Sequence, residues 1–378
     1  LERPDSAAQC RLHFVSVEKH PLEKADLERA LAQWPELSEL SSALLAAYPE
    51  LIAGQHRLTF DKGGVILDLL FADAEPALDS LRRSLHPRFI SANPAIDAWF
   101  LDGFAPGSNP GMWSNPLFDS IAALSKVDCS FATFTAAGFV KRALQERGFE
   151  VEKVTGFGRK RDMLRGRFKR ENIKPSEIES PQPRTRQRIA ENAAWHLPPT
   201  QPRPQTVAIV GAGLAGCSTA AALAKRGIRV IVLEQGNTVA TAASGNPQAI
   251  LYTKLSHQAG QLNQFALAGF LHACRFYRHM PTLPGEFCGV LQMLNEPQLE
   301  KLREAFAGQN SWCRFLSPEE SSAIAGVALT SAAVYFPQAG WLRPAVLCEQ
   351  LLAHPGIELL PGHSVVALQQ CAEGWQLR

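Results

Sequence analysis

Residues 206–235 read TVAIVGAGLAGCSTAAALAKRGIRVIVLEQ, and this stretch decides the fold of its part of the chain. Val207–Val210 is a short apolar run of the kind that forms a buried parallel strand. Gly211, Gly213 and Gly216 follow in GxGxxG spacing, the Ala-rich segment Thr219–Lys225 predicts a helix stopping at Gly227, and Ile228–Leu233 predicts a second strand closed by Glu234. The order matters chemically. Gly211 permits the tight turn, Gly213 lets the backbone approach a pyrophosphate, and Gly216 lets the helix pack close to the strand. The helix N-terminus offers unpaired amides and a positive dipole to the same anion. Glu234 is then placed to accept hydrogen bonds from ribose hydroxyls. Strand, helix, strand and terminal acid in this order predict a dinucleotide site rather than a glycine-punctuated turn.

The motif alone leaves NAD and FAD open. The next segment, Thr241–Lys254 or TAASGNPQAILYTK, resembles the flavin-contacting loop of amino-acid and amine oxidases related to glycine oxidase and D-amino-acid oxidase. That resemblance implies FAD, with Ser244, Gly245 and Asn246 beside the flavin ring.

A chain of 378 residues has room for two domains, and 46% hydrophobic with 20% charged residues is the composition of an ordinary globular protein. It holds no apolar run of membrane-spanning length and no signal-peptide pattern, so the expected location is the cytoplasm. Its 8 cysteines are scattered, without CxxC or HExxH spacing, and predict reduced thiols rather than a disulfide framework or a metal site. The net charge of +2 is small, yet Arg159, Lys160, Arg161, Arg165, Arg167, Lys169, Arg170, Lys174, Arg184, Arg186 and Arg188 form a basic stripe. A solvated linker and a phosphate-contacting surface are both open readings of it. The sequence starts at Leu1 rather than Met and stops at Arg378 just after a strand-like run, so it is expected to be a piece of a longer protein.

The first part of the chain alternates strands and helices. Leu12–Val17 predicts a strand ending in Glu18, whose carboxylate serves either ribose hydroxyls or a local turn. Leu22, Leu27, Leu31, Trp34, Leu37, Leu40 and Leu44 recur at helical spacing within residues 21–47 and predict core packing. Val65–Phe71 predicts a strand leading to Asp73, a candidate partner for an adenine amino group. Ala98–Leu101 predicts a buried strand that delivers Asp102 to a Gly- and Pro-rich loop carrying Phe104 and Trp113. Helix, strand and helix follow, and a strand pair flanks Gly156–Gly158. This is the Rossmann-like α/β pattern of class I S-adenosylmethionine methyltransferases.

Longer runs carry a closer resemblance. FVSVEKHPL (14–22), DAWFLDGFAPGSNPGMW (97–113), ATFTAAGFVKRALQERGF (132–149) and GFGRKRDML (156–164) resemble the methyltransferase half of the bifunctional tRNA 5-methylaminomethyl-2-thiouridine biosynthesis family. AASGNPQAILYTKLS (242–256) and FPQAGWLRPAVLC (336–348) resemble its FAD-dependent oxidoreductase half. The resemblance implies a methyltransferase domain at 1–166, a basic Pro-rich linker at 167–205 and an oxidoreductase domain of the glycine oxidase type at 206–378. It implies FAD and S-adenosylmethionine as cofactors, a tRNA wobble uridine as substrate, and no metal or membrane. In that family FAD-dependent oxidation removes a carboxymethyl group from the amine, and the methyltransferase then methylates that amine. Asp102 would hold the amine, Glu18 and Asp73 the adenosine of the methyl donor, Phe104 and Trp113 would stack on the base or the sulfonium, and Arg343 would either grip the substrate carboxylate or pair with a structural one. Tyr252 and Lys254 would lie near the substrate. The family's methyltransferase half opens with a strand and a glycine-rich loop, and none precedes Glu18 here. Two alternatives remain open at this point: an oxidase whose N-terminal half only binds tRNA, and an amino-acid oxidase with an unrelated appended domain.

Overall fold

Apolar alternation becomes strand and three- or four-residue spacing becomes helix through most of the chain. The computed structural model describes residues 11–84, 96–103, 110–156, 158, 161–169, 204–258, 260–307, 312–371 and 374–378. Its contacts divide the described residues into two units, one drawn from 1–16, 21–69 and 204–378, the other from 17–20 and 70–203.

The chain begins with β1 (Leu12–Glu18), α1 (Lys24–Leu31), α2 (Ser38–Ala47), β2 (Gly54–Phe60), β3 (Val65–Phe71) and α3 (Ala74–Ser84). It continues with β4 (Ile96–Phe100), α4 (Asn115–Leu124), β5 (Ser125–Thr133), α5 (Gly138–Glu146), β6 (Phe149–Thr155) and β7 (Asp162–Phe168). Hydrogen-bonded neighbours run β1-β3-β2 in one sheet and β4-β5-β7-β6 in another. β4 and β5 are parallel, and β7 lies antiparallel between β5 and β6. The expected terminal strand pair is thus the β6–β7 hairpin. Phe118, Ile121, Val140, Leu144 and Leu164 are almost completely buried in one cluster, and the Phe131 and Phe149 rings meet edge-on at 5.4 Å. Ser114 caps α4 by accepting the Leu117 amide at 3.3 Å, which ends the preceding loop.

Two expectations for this part need correction. Residues 21–47 are not one helix, because Pro35 removes an amide and clashes with the preceding turn; a short 3-10 turn at Pro35–Leu37 separates α1 from α2. The apolar stripe also fails to enter a core. Leu22, Trp34, Leu37 and Leu40 are exposed, and neither helix buries a residue, because no described element covers that face.

From residue 204 the elements are β8 (Thr206–Val210), α6 (Leu214–Ala224), β9 (Arg229–Glu234), β10 (Ala249–Leu251), α7 (Gln261–Arg278), β11 (Gly285–Glu286) and β12 (Val290–Met293). Then come α8 (Glu296–Ala305), β13 (Arg314–Leu316), α9 (Pro318–Ala325), β14 (Ala333–Phe336), β15 (Gly340–Leu342), α10 (Pro344–Leu352), β16 (Ile357–Pro361) and a closing hairpin at Leu368–Cys371 and Gly374–Leu377. β8, β9 and β16 form a parallel sheet with β9 in the middle, as the βαβ reading requires. Val230 and Val232 of β9 are fully buried against Ala220, Ala221 and Ala224 of α6. Small helix residues let the two backbones approach. α9 begins with a reciprocal capping box between Ser317 and Glu320 and ends at Gly326 in the left-handed region. Five of the cysteines, Cys129, Cys217, Cys274, Cys313 and Cys348, are free and buried, whereas Cys288 and Cys371 are free and exposed.

Candidate functional site

The glycine loop takes the conformation its residues demand. Gly211 has φ +98°, and a methyl group there would meet nothing within 4 Å, so the loop is open on the side where an anion would lie. A Cβ on Gly216 would lie 2.0 Å from the Gly211 carbonyl oxygen, which fixes the close helix–strand approach read from the sequence. Gly213 is the N-cap of α6, and its neighbour is a side chain: a Cβ there would come within 3.1 Å of the Ser244 hydroxyl.

Ser244 caps the helix from a distance, its Oγ accepting the Leu214 amide at 3.1 Å. The loop after β9 folds back onto the glycine loop, with the Ala240 amide donating to the Ala212 carbonyl at 3.0 Å and the Gly245 amide to Ala242 at 2.8 Å. Ala240 pays for this with φ +57°, unusual for a residue with a side chain. Asn246 is exposed beside it, its amide donating to Ala243 at 3.5 Å. The Ser-Gly-Asn loop and the glycine loop are one assembly.

Glu234 ties that assembly together. Buried to 6% exposure, it accepts the Ala212 amide at 2.7 Å on one oxygen, and the Gly236 amide at 2.8 Å and the Thr241 hydroxyl at 3.0 Å on the other. The Ala212 and Gly236 amides hold its carboxyl below the usual carboxylate range despite burial. The Thr241 hydroxyl and the Gln235 amide hold it down further, so the protein's own donors take most of its acceptor positions. Thr241 escaped the sequence reading; the signal was a hydroxyl within the small-residue run after the acid. An open positive-φ glycine and the start of α6, beside a buried carboxylate, fit the diphosphate and ribose of FAD.

Arg343 is the N-cap of α10 and follows β15 directly; its amide donates to Pro284 O at 2.7 Å. Its guanidinium is exposed and has no partner among the described residues. Trp341 stands across from Ile250 and Glu286 in the β10-β15-β11 sheet. Tyr252 is exposed just beyond β10, as is Lys254.

In the other unit, Glu18 and Asp73 close neighbouring strands, the Ala72 amide reaching the Glu18 carbonyl at 3.2 Å. The Glu18 carboxylate accepts the His20 amide at 2.7 Å, and Asp73 pairs with Lys19 at 2.8 Å. Both are exposed, and an exposed ion pair is easily exchanged for a ligand. Asp102 lies just beyond β4, exposed, accepting the Gly103 amide at 2.8 Å. Gly103 has φ +152°, a backbone conformation that residues with a side chain rarely adopt, and the Met112 thioether lies where its Cβ would be. Phe104 lies outside the described residues. Trp113 is buried in the core, edge-on to Phe134 at 6.4 Å and tilted on Phe118 at 6.3 Å, and this packing leaves its ring no face for a base. Aromatic character predicted stacking; tertiary packing used the ring as core.

Three described residues of the basic stripe, Arg165, Arg167 and Lys169, have local partners. Arg165 bonds Glu152 at 3.0 Å, Lys169 and Arg167 both reach Asp128, and Lys153 pairs with Asp162 at 2.8 Å. Arg159, Lys160 and residues 170–203 lie outside the described residues.

Residues 35–169 match the family described as S-adenosyl-L-methionine-dependent methyltransferase, and residues 206–378 match the family described as FAD dependent oxidoreductase. A protein of Stutzerimonas stutzeri called tRNA 5-methylaminomethyl-2-thiouridine biosynthesis bifunctional protein MnmC is 42% identical over 376 residues, 98% of this chain and 53% of that protein. The chain is similar to the MnmC bifunctional proteins along almost its whole length. The MnmC of Ectopseudomonas mendocina is 43% identical over 97% of this chain and 52% of its own length. The chain thus spans about half the length of the MnmC relatives it matches. Among solved structures, a glycine oxidase from Bacillus cereus is 20% identical over 46% of this chain and 54% of its own, with a TM-score of 0.36. Both cofactor expectations accord with the matched families, S-adenosylmethionine for the first and FAD for the second. No described helix is long and apolar enough to cross a membrane.

Proposed function

We propose that the protein of which this chain is part modifies the wobble uridine of tRNA in two steps, and that it does so in the cytoplasm. The reading rests on one observation: similarity to the MnmC bifunctional proteins runs through both halves, in their order, over 98% of the chain. Residues 1–166 serve methyl transfer, 167–205 connect, and 206–378 serve oxidation.

In the oxidation, FAD supplies the hydride acceptor when bound. Gly211, Gly213, Gly216 and the start of α6 hold its diphosphate, and Glu234 its ribose. Ser244, Gly245 and Asn246 would lie by its ring. Arg343 grips the carboxylate of the carboxymethylaminomethyl group with two parallel hydrogen bonds and so presents the carbon beside the nitrogen. Loss of hydride from that carbon and of a proton from the nitrogen leaves an imine on the substrate, and water hydrolyses it to the aminomethyl group and glyoxylate.

In the second step, S-adenosylmethionine supplies the methyl group when bound, its adenosine held by Glu18 and Asp73. An alkylamine is mostly protonated at neutral pH. The Asp102 carboxylate accepts from the amine and turns its lone pair toward the methyl, so that its contribution is orientation and proton acceptance. Phe104 stacks on the base.

Nucleoside mass spectrometry on tRNA carrying the carboxymethylaminomethyl-thiouridine tests this directly. Conversion to aminomethyl without the methyl donor, and to methylaminomethyl with it, is expected for the protein extended at both ends. If only the first conversion occurs, the N-terminal half is a tRNA-binding module; if neither occurs, the tRNA assignment fails.

A further inference from the structure

We infer that Glu50, within the methyltransferase-family match, is a positioning residue for the oxidoreductase segment, because its carboxylate holds the turn that leads into Arg343. The inference rests on the oxidative role given to Arg343 above.

Glu50 stands in the loop between α2 and β2. That loop is fixed from within: the Ile52 amide donates to the Glu50 carbonyl at 2.8 Å, and the buried His56 ring is bonded to the Ile52 carbonyl at 2.6 Å. Ile52 packs on the core of Leu255, Phe270, Trp312 and Phe336. Glu50 itself accepts a hydrogen bond from the Gln338 side-chain amide at 2.8 Å, a contact across 288 residues of sequence. Both residues belong to the same structural unit.

Gln338 sits in the tight turn between β14 and β15, where the Ala339 amide donates to Phe336 O at 3.1 Å and the Gly289 amide to Ala339 O at 2.9 Å. β15 is three residues long and runs straight into Arg343. A shift of this turn is therefore passed along one short strand to the guanidinium. The charge of Glu50 has a second task. Arg275 of α7 is half-buried, which pushes its pKa down, its Nη1 atom lacks a hydrogen-bond partner among the described residues, and Glu50 is the carboxylate that opposes that shift. Removing Glu50 strands the Gln338 amide and leaves Arg275 without that countercharge; such buried groups move to find water.

The test uses the FAD-loaded full-length protein with Glu50→Gln, Gln338→Glu and the double variant. Gln338→Glu sets two carboxylates against each other. The double variant restores a Gln–Glu pair with donor and acceptor exchanged. Gln338→Glu is expected to raise KM for the carboxymethylaminomethyl substrate about five- to tenfold with little change in kcat, and the double variant to recover most of it. Denaturant unfolding of the same set should show the same non-additivity. Should the wild-type protein leave that substrate unchanged, the oxidative reading fails by itself, and glycolate titrated against the flavin absorption band then reads carboxylate binding in its place. Additive effects of the two substitutions, or coupling in unfolding with unchanged KM and glycolate affinity, overturn the inference.

Discussion

The Glu234 carboxylate accepts the Ala212 amide at 2.7 Å, so the acid that ends β9 is bonded to the loop that ends β8. The two halves of a nucleotide site are thereby set in place before any ligand arrives. Glu234→Ala leaves the Ala212 and Gly236 amides and the Thr241 hydroxyl without their acceptor. The expected result is a loss of about 2–4 kcal/mol in stability and at least tenfold weaker FAD binding, read by denaturant unfolding and flavin fluorescence titration.

Glu234 also makes an acid-side prediction. Its carboxyl is held low by the Ala212 and Gly236 amides, below the unfolded value of about 4.3. The stabilisation is therefore fully present above that value and is lost as pH falls through the folded pKa. Glu234→Gln should flatten the decline of Tm below about pH 4.3. An unchanged acid limb would show that Glu234 does not carry it.

The glycines of the loop are not equivalent. Gly211→Ala meets open space and costs only backbone strain, about 1–2 kcal/mol. Gly216→Ala puts a methyl 2.0 Å from a carbonyl oxygen and must push α6 off β8. It should cost about 3 kcal/mol and abolish flavin retention on gel filtration. The opposite ranking would contradict the packing described.

Arg343 is exposed without a partner among the described residues, and its role is tested by comparing substrates. Arg343→Ala should raise KM about 10- to 100-fold for a substrate bearing the carboxylate, with Arg343→Lys recovering part of the loss. FAD affinity should stay unchanged. Equal loss with a substrate lacking the carboxylate would remove the assignment.

Asp102→Asn keeps the shape and the bond to the Gly103 amide but loses the proton-accepting charge. Methyl transfer should fall about 100-fold or more while oxidation of the carboxymethylaminomethyl group continues, so aminomethyl-uridine accumulates in nucleoside digests. Normal methylation in this variant would exclude Asp102 from the reaction.

The second domain was the more legible in sequence because its fold is built from local signals. GxGxxG, an Ala-rich helix and a strand ending in Glu234 all lie within thirty positions, and a βαβ unit closes on itself without help from distant residues. The first was legible where strands end in carboxylates, and illegible between. β2 was missed because His56 and Leu58 alternate with polar residues in a run too short to stand out. The stripe from Leu22 to Leu40 showed helical spacing but not whether anything covers it.

What the sequence determined by itself is therefore the chemistry of the loops: where the glycines allow a turn, where acids end strands, and which two families the halves resemble. Those properties depend on backbone dihedrals and residue type within a few positions. The tertiary structure decided which donors fill the Glu234 carboxylate, that Ser244 caps a helix thirty residues away, that Trp113 is core, that Arg165 pairs with Glu152, and that Glu50 meets Gln338. Each depends on which surfaces are brought within 3 or 4 Å after the chain has folded. Residue type says what a side chain can bond; only packing says which partner it meets.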